Sequence, residues 1–367
     1  MDIFEKLGVR KYINAHDTYT VYGGSRMSSE TLDAIRQIAE HFVDFEELQR
    51  AAGEYVAKLT HNEGAFITNG AAGAIQTAAA VCMCKGSDYR YMRLPEGTKD
   101  TCRDFVVMRA QHNAYDKAIE GAGGRIIEIG DADETLEYEL EGVLQEGVAG
   151  VFYFVSINFE RASMPLDKVI ELAHRYNTPV IVDAAAQIPP IENLWKFTQM
   201  GADLAIFSGG KTLCGPQDSG VMVGKKELIN DCLRFGAPVH GVCRSCKTSR
   251  ESIVGLVMAI DHYLSIDPKQ EYDRLNALNF RMAEIISASR RCETRIVPYG
   301  PVGQTYPRLF IDLSDGVSAR KLEKQMREAA IYIGRQGEKT VYISPLNLTV
   351  EEANIVAQTL AGFIAGA

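Results

Sequence analysis

The chain has 367 residues, with 39 Lys+Arg against 48 Asp+Glu and a formal net charge of −9. Hydrophobic residues at 46% and charged residues at 24% are the balance of a soluble globular protein, long enough for about two domains. The acidic excess argues against a protein that holds a nucleic-acid backbone, a task that needs Lys and Arg in surplus.

Residues 1–13 carry acids and no sustained apolar core, so no signal peptide is expected. The longest uncharged apolar-rich run, 147–157, falls short of the roughly 20 residues of a membrane span. Residues 1–30 are polar, aromatic and Gly-containing without period, and read as an N-terminal arm. The next segment has apolar residues at Leu32, Ile35, Ile38, Ala39 and Phe42, the spacing of a helix face. From residue 103, strand-length apolar runs alternate with helical stretches. Strands are expected at 103–109, 125–129, 150–155, 180–183, 204–207 and 220–224. Helices are expected at 114–121, 134–146, 166–176 and 192–200. Strands separated by helices of this length imply a mostly parallel α/β sheet covered on both faces. After residue 245 the pattern changes to a long interrupted helix over 249–290. Strands near 295–298, 308–313, 332–334 and 340–343 then alternate with helices at 317–329 and 350–365. The expected division is an arm (1–30), a large domain (31–245), and an interdomain helix with a small α+β domain (246–367).

Four local features fall in one order. Thr68 ends an apolar run and leads through Asn69, Gly70 and Ala71 into a helix. Small side chains there let free N–H groups approach an anion such as phosphate. His112 follows a strand and offers a flat ring, or a helix cap. Asp183 ends the buried run 180–182, where α/β sheets place ligands, although an N-cap is the bland alternative. Lys211 stands in a Gly-rich turn with Ser208 three residues before it. Desolvation there depresses an amine's pKa and leaves it able to attack a carbonyl. A phosphate cradle, a flat ring partner, a carboxylate for a pyridine nitrogen and an amine for an aldehyde are together what pyridoxal phosphate needs. The eight cysteines lack framework spacing and read as reduced thiols of the cytoplasm. Cys243 and Cys246 form a lone CxxC without a second ligand pair, so no metal is expected.

On these residues the chain resembles the fold-type I pyridoxal-phosphate enzymes. The similarity extends over Asn14–Met27, Phe42–Leu48, 68–74, His112–Asp116, Val182–Pro190, Phe207–Lys211 with Gly215–Gln217, and Lys247–Leu264. The branch is that of selenocysteine synthase and its shorter relatives, the D-glucosaminate-6-phosphate ammonia-lyases. The resemblance implies Lys211 as the Schiff-base lysine, Asp183 as the pyridinium partner and His112 as the ring-stacking residue. It also implies that Asn69, Gly70, Ala71 and Ser208 hold the phosphate, with Gln187 beside the ring hydroxyl. The implied reaction is α,β-elimination on an amino sugar acid, D-glucosaminate 6-phosphate giving 2-keto-3-deoxy-6-phosphogluconate and ammonia. Seryl-tRNA selenium transfer, transamination, racemisation, aldol cleavage and non-catalytic cofactor binding are the alternatives. An anionic small-molecule substrate needs cations, and Arg26, Arg244, Lys247, Arg250 and Arg308 are the candidates. No nucleic-acid or membrane partner is expected, and the implied assembly is a homodimer or larger with shared sites. His16, Asp17 and Cys214 depart from what is frequent in the family, and their roles stay open.

Overall fold

The structure is a computed structural model that describes residues 2–367. In chain order the strands are β1 (Ile13–Ala15), β2 (Gly64–Thr68), β3 (Asp104–Met108), β4 (Arg125–Ile129), β5 (Gly150–Phe154) and β6 (Val180–Asp183). They continue with β7 (Leu204–Ser208), β8 (Gly220–Gly224), β9 (Cys292–Val297), β10 (Arg308–Leu313), β11 (Ile331–Gln336) and β12 (Thr340–Ile343). The described chain divides into two compact units. One is Met27–Ser265, and the other joins the segment ending at Arg26 to Ile266–Ala367.

The larger unit carries a seven-stranded sheet in the order β2-β8-β7-β6-β5-β3-β4. Strands β3 to β7 pair in parallel. β8 is antiparallel to both β7 and β2, so β2 runs with the others. The central strands are near-continuous apolar runs because both faces are buried: Val180, Ile181 and Val182 are fully enclosed. One face is covered by the helix Leu166–Arg175, which buries Leu166, Val169, Ile170, Leu172 and Ala173, the face its sequence period predicts. The other is covered by the helix Gly70–Cys84, apolar on nearly every side and enclosed from Gly73 to Cys84 except at Gln76. The result is an α/β layer structure with a mostly parallel sheet, as expected.

The helix Ser29–Ala39 corrects part of the sequence reading. Ile35 and Ile38 are half-buried, but Leu32 is exposed, and Phe42 lies beyond the helix end and is 99% exposed. This helix packs on the helix Arg250–Ser265, which also meets the helix Phe45–Leu59. Gly255 permits that approach, since a Cβ there would stand 2.8 Å from Ile35 Cδ1. The helix after residue 245 therefore belongs with the larger unit.

The smaller unit has a five-stranded sheet in the order β1-β11-β12-β10-β9. Its core joins the sheet to the helices Pro268–Ser287, Ala319–Glu328 and Val350–Ala365. The N-terminal segment is not a free extended arm. Ile13 to Ala15 pair in parallel with Ile331 to Ile333 and add an edge strand to this sheet. A three-residue strand is too short to show alternation, so the sequence carries no period for it.

Candidate active site

Parallel strands bring their C-terminal ends to one edge of a sheet, and ligands of α/β proteins bind there. The larger unit puts Asn69 after β2, His112 after β3, Asp183 at the end of β6, and Ser208 and Lys211 at the end of β7, all on that edge.

The helix after β2 begins at Gly70, whose φ of 81° favours glycine. Its start sits hard against β8. A Cβ on Gly220 would fall 2.5 Å from Gly70 C and 2.8 Å from Ala71 N. Asn69 is the N-cap residue, yet its side chain makes no capping hydrogen bond, and its Oδ1 is buried without a partner. Asn69, Gly70 and Ala71 are half-buried and Ala72 is exposed, so the free N–H groups of a four-turn helix lie beneath small side chains. That is a cradle for a compact anion.

Asp183 is 8% exposed, and its Oδ1 accepts from the Ala185 N–H at 2.8 Å. Burial pushes its carboxyl up from the usual range, while the nearby Lys211 charge pulls it down. Lys211 is half-buried on a tightly folded loop. Gly209 N donates to Ser219 O at 2.8 Å, Gly215 N to Gly209 O at 2.8 Å, and Cys214 N to Lys211 O at 2.9 Å. A Cβ on Gly209 would meet Ser219 Oγ at 2.1 Å, and one on Gly210 would meet Gln217 Cα at 2.6 Å. The two glycines therefore let the chain before Lys211 fold back closely against Gln217 and Ser219 after it. Ser208, half-buried, ties this loop to the one after β6 through its N–H and Ala185 O at 3.3 Å. Gln187 is buried, and its Nε2 donates to Val155 O at 2.8 Å, bridging the ends of β6 and β5.

His112 follows a one-turn 3-10 segment, Arg109–Gln111. Its Nδ1 lies 2.6 Å from Asp116 Oδ2, and its Nε2 lies 2.7 Å from Glu128 Oε2. The second contact is at ion-pair distance without hydrogen-bond alignment. Asp116 closes the segment of family similarity that begins at His112, but nothing in the sequence pairs the two. Glu128, on β4, carried no such signal. Gln111 is also fully buried there, its Oε1 accepting from Phe154 N at 2.9 Å.

The five anion-binding candidates separate clearly. Arg250 is already engaged: Nη1 donates to His41 O at 2.6 Å, Nη2 to Ala39 O at 3.1 Å, and Nε pairs with Glu251 at 2.8 Å. Arg26 pairs with both oxygens of Glu352, at 2.9 and 2.7 Å. Arg308 is buried in the smaller unit, with Nε donating to Tyr299 O and its guanidinium over the Phe310 and Tyr342 rings. Arg244 and Lys247 are exposed on the larger unit. Also in the smaller unit, Asp17 accepts from Tyr306 O–H at 3.1 Å, and His16 stacks on Tyr22 at 4.1 Å between ring centres. Burial drives His16 down to about 4. Cys243 and Cys246 are buried thiols, and burial pushes Cys243 up to about 12. Among the described residues, no group of three His, Cys, Asp or Glu could hold a metal ion. No helix among them is long and apolar enough to cross a membrane.

Comparison with known proteins places the chain in a family. Residues 92–356 match the family described as Aminotransferase class-V. The D-glucosaminate-6-phosphate ammonia lyase of Salmonella typhimurium is 30% identical over 342 residues, covering 90% of this chain and 89% of that protein. A 5'-C-glycyluridine monooxygenase-decarboxylase from Streptomyces sp. is 27% identical, over 98% of this chain and 88% of that protein. A solved D-glucosaminate-6-phosphate ammonia-lyase superposes with a TM-score of 0.86 at 27% identity, covering 100% of this chain and 99% of the other. The chain belongs to the class-V aminotransferase family of pyridoxal-phosphate enzymes.

Proposed function

We propose that the protein is a pyridoxal-phosphate-dependent ammonia-lyase. It removes water and then ammonia from an amino sugar acid, D-glucosaminate 6-phosphate giving 2-keto-3-deoxy-6-phosphogluconate. One observation carries the reading: a lysine on a double-glycine loop, a carboxylate buried at a strand end and a helix start lined by small side chains stand at the same edge of a parallel sheet. The similarity to the Salmonella ammonia lyase supports the substrate.

The residues present fit the cofactor. Asn69, Gly70, Ala71 and Ser208 would hold its phosphate, with the free N–H groups of the helix start donating to the phosphate oxygens beneath small side chains. Asp183 would hold a proton at the pyridine nitrogen, a cationic partner that relieves the cost of its burial. His112 would lie flat against the ring, Gln187 beside its hydroxyl, and Lys211 would hold the aldehyde through Nζ. When bound, pyridoxal phosphate supplies an electron sink that acidifies the Cα–H of an amino substrate. Lys211 Nζ, released from the aldehyde when the substrate amine takes its place, would remove the Cα proton and return a proton to the C3 hydroxyl as it leaves. Loss of water leaves an enamine, which hydrolyses to the 2-oxo acid and ammonia. Arg244 and Lys247, exposed on the same unit, are our candidates for the substrate's own anionic groups. Arg26, Arg250 and Arg308 are set aside, because each already has oxygen partners. We also infer a cytoplasmic homo-oligomer, dimeric or larger.

The test is a panel of amino sugar acids and β-hydroxy amino acids, read out as 2-oxo acid and ammonia. Stoichiometric release from D-glucosaminate 6-phosphate is the expected result. Turnover of unphosphorylated amino acids alone would overturn the sugar-phosphate assignment. A second reading, oxidative decarboxylation, is favoured by the Streptomyces relative that matches 98% of the chain. Oxygen uptake with carbon dioxide release on a glycyl-bearing nucleoside would select it.

A further inference from the structure

His112 meets a carboxylate at each ring nitrogen. Asp116, at the start of the helix Asp116–Gly121, is 8% exposed, and its Oδ2 lies 2.6 Å from Nδ1. Its other oxygen is buried without a partner, and Oδ2 also accepts from the Asn113 N–H at the longer distance of 3.3 Å. Glu128 Oε2 lies 2.7 Å from Nε2. Glu128 is in turn gripped by Arg109, whose Nε donates to Oε1 at 2.6 Å and whose Nη2 reaches the same oxygen. This guanidinium, followed by the nearby His112, holds the Glu128 carboxyl below the usual range and so ionised at neutral pH.

A carboxylate accepts and cannot donate, so each contact is attractive only if the facing ring nitrogen carries a proton. Two such contacts on opposite edges also fix the ring's plane more firmly than one, because they remove rotation about the single remaining hydrogen bond. The elements that supply the clamp differ: a 3-10 turn, a helix and the edge strand β4. Their convergence on one imidazole at the ligand-binding edge is more than a helix cap requires.

We propose that Asp116 and Glu128 are positioning residues that flank His112 at both edges and fix the plane in which its ring meets the cofactor, with Arg109 anchoring Glu128. The inference rests on His112 being the ring-stacking residue of the proposed function. The misaligned Nε2 contact is the one that can tighten when a ligand fills the site.

The experiment compares wild type with His112→Ala, Glu128→Gln, Glu128→Asp and Asp116→Asn. Three readouts are used: ring-nitrogen NMR shifts of 15N-histidine-labelled apoprotein, pyridoxal-phosphate affinity by fluorescence titration, and the absorption maximum of the bound cofactor. Glu128→Gln is isosteric at a partly exposed side chain, and thermal melting checks its folding. Glu128→Gln moves the Nε2 shift of His112, binds cofactor several-fold more weakly, as loss of a charge contact at that nitrogen predicts, and shifts the maximum. Glu128→Asp recovers part of each effect, which loss of packing alone would not give. If His112→Ala leaves affinity and spectrum unchanged, the stacking role itself is wrong. If His112→Ala weakens binding but Glu128→Gln and Asp116→Asn leave the ring-nitrogen shifts, affinity and spectrum at wild-type values, the clamp is overturned and the stacking role stands.

Discussion

A carboxylate as enclosed as Asp183 is costly unless a cation meets it. The cofactor's protonated ring nitrogen is that cation in the proposed function, and the apoprotein has to manage with Lys211. Burial outweighs Lys211 and raises the Asp183 pKa above its ordinary value of 3.8. The folded state therefore holds this proton more tightly than the unfolded chain. The penalty against folding is present in full above the raised pKa and fades as the pH falls through it toward 3.8. Asp183→Asn keeps an oxygen for the Ala185 N–H and removes the buried charge. Its apoprotein should melt at a higher temperature than wild type at neutral pH, with the gain vanishing on acidification toward pH 3.8. Its loaded form should turn over far more slowly. Calorimetry of both apoproteins across that range checks the prediction, and equal melting temperatures at neutral pH would contradict it. His16 shows burial acting the other way: its ring is driven down to about 4 and stays neutral in a pocket of aromatic rings.

Among the elements, β3 to β8 are legible because each is a short apolar run between helical stretches. A strand buried on both faces leaves that mark in a sequence. β1 is not legible, because its three residues gain their strand character only from pairing with β11 near the other end of the chain. The same difference divides the site residues. Lys211, Asp183 and Asn69 stand beside glycines or strand ends, and local sequence shows them. Gly220 does not advertise its role, which is to let a neighbouring strand meet the start of another helix. Arg250 looks like a surface cation, but its partners are backbone carbonyls at the end of the helix Ser29–Ala39, which no side-chain pattern marks. Cations that satisfy C-terminal carbonyls stabilise a helix. Arg250→Ala should therefore cost about 1–2 kcal/mol in urea unfolding while leaving the KM for substrate unchanged. A raised KM at unchanged stability would return Arg250 to the substrate site.

For the molecule as a whole, the net charge of −9 bears on polyanions and not on small ones. A helix start and a few cations can hold a phosphate inside an acidic shell. What the fold contributes is direction. β2, β3, β6 and β7 run the same way, so residues far apart in the chain, from Asn69 to Lys211, arrive at one edge. The central claim is that this edge is a pyridoxal-phosphate site with Lys211 as the covalent anchor. Borohydride reduction of the loaded protein, followed by peptide mass spectrometry, tests it most directly. The account predicts the reduced cofactor on the peptide containing Lys211, and none in Lys211→Ala. An adduct on another lysine, or none in loaded wild type, would contradict it.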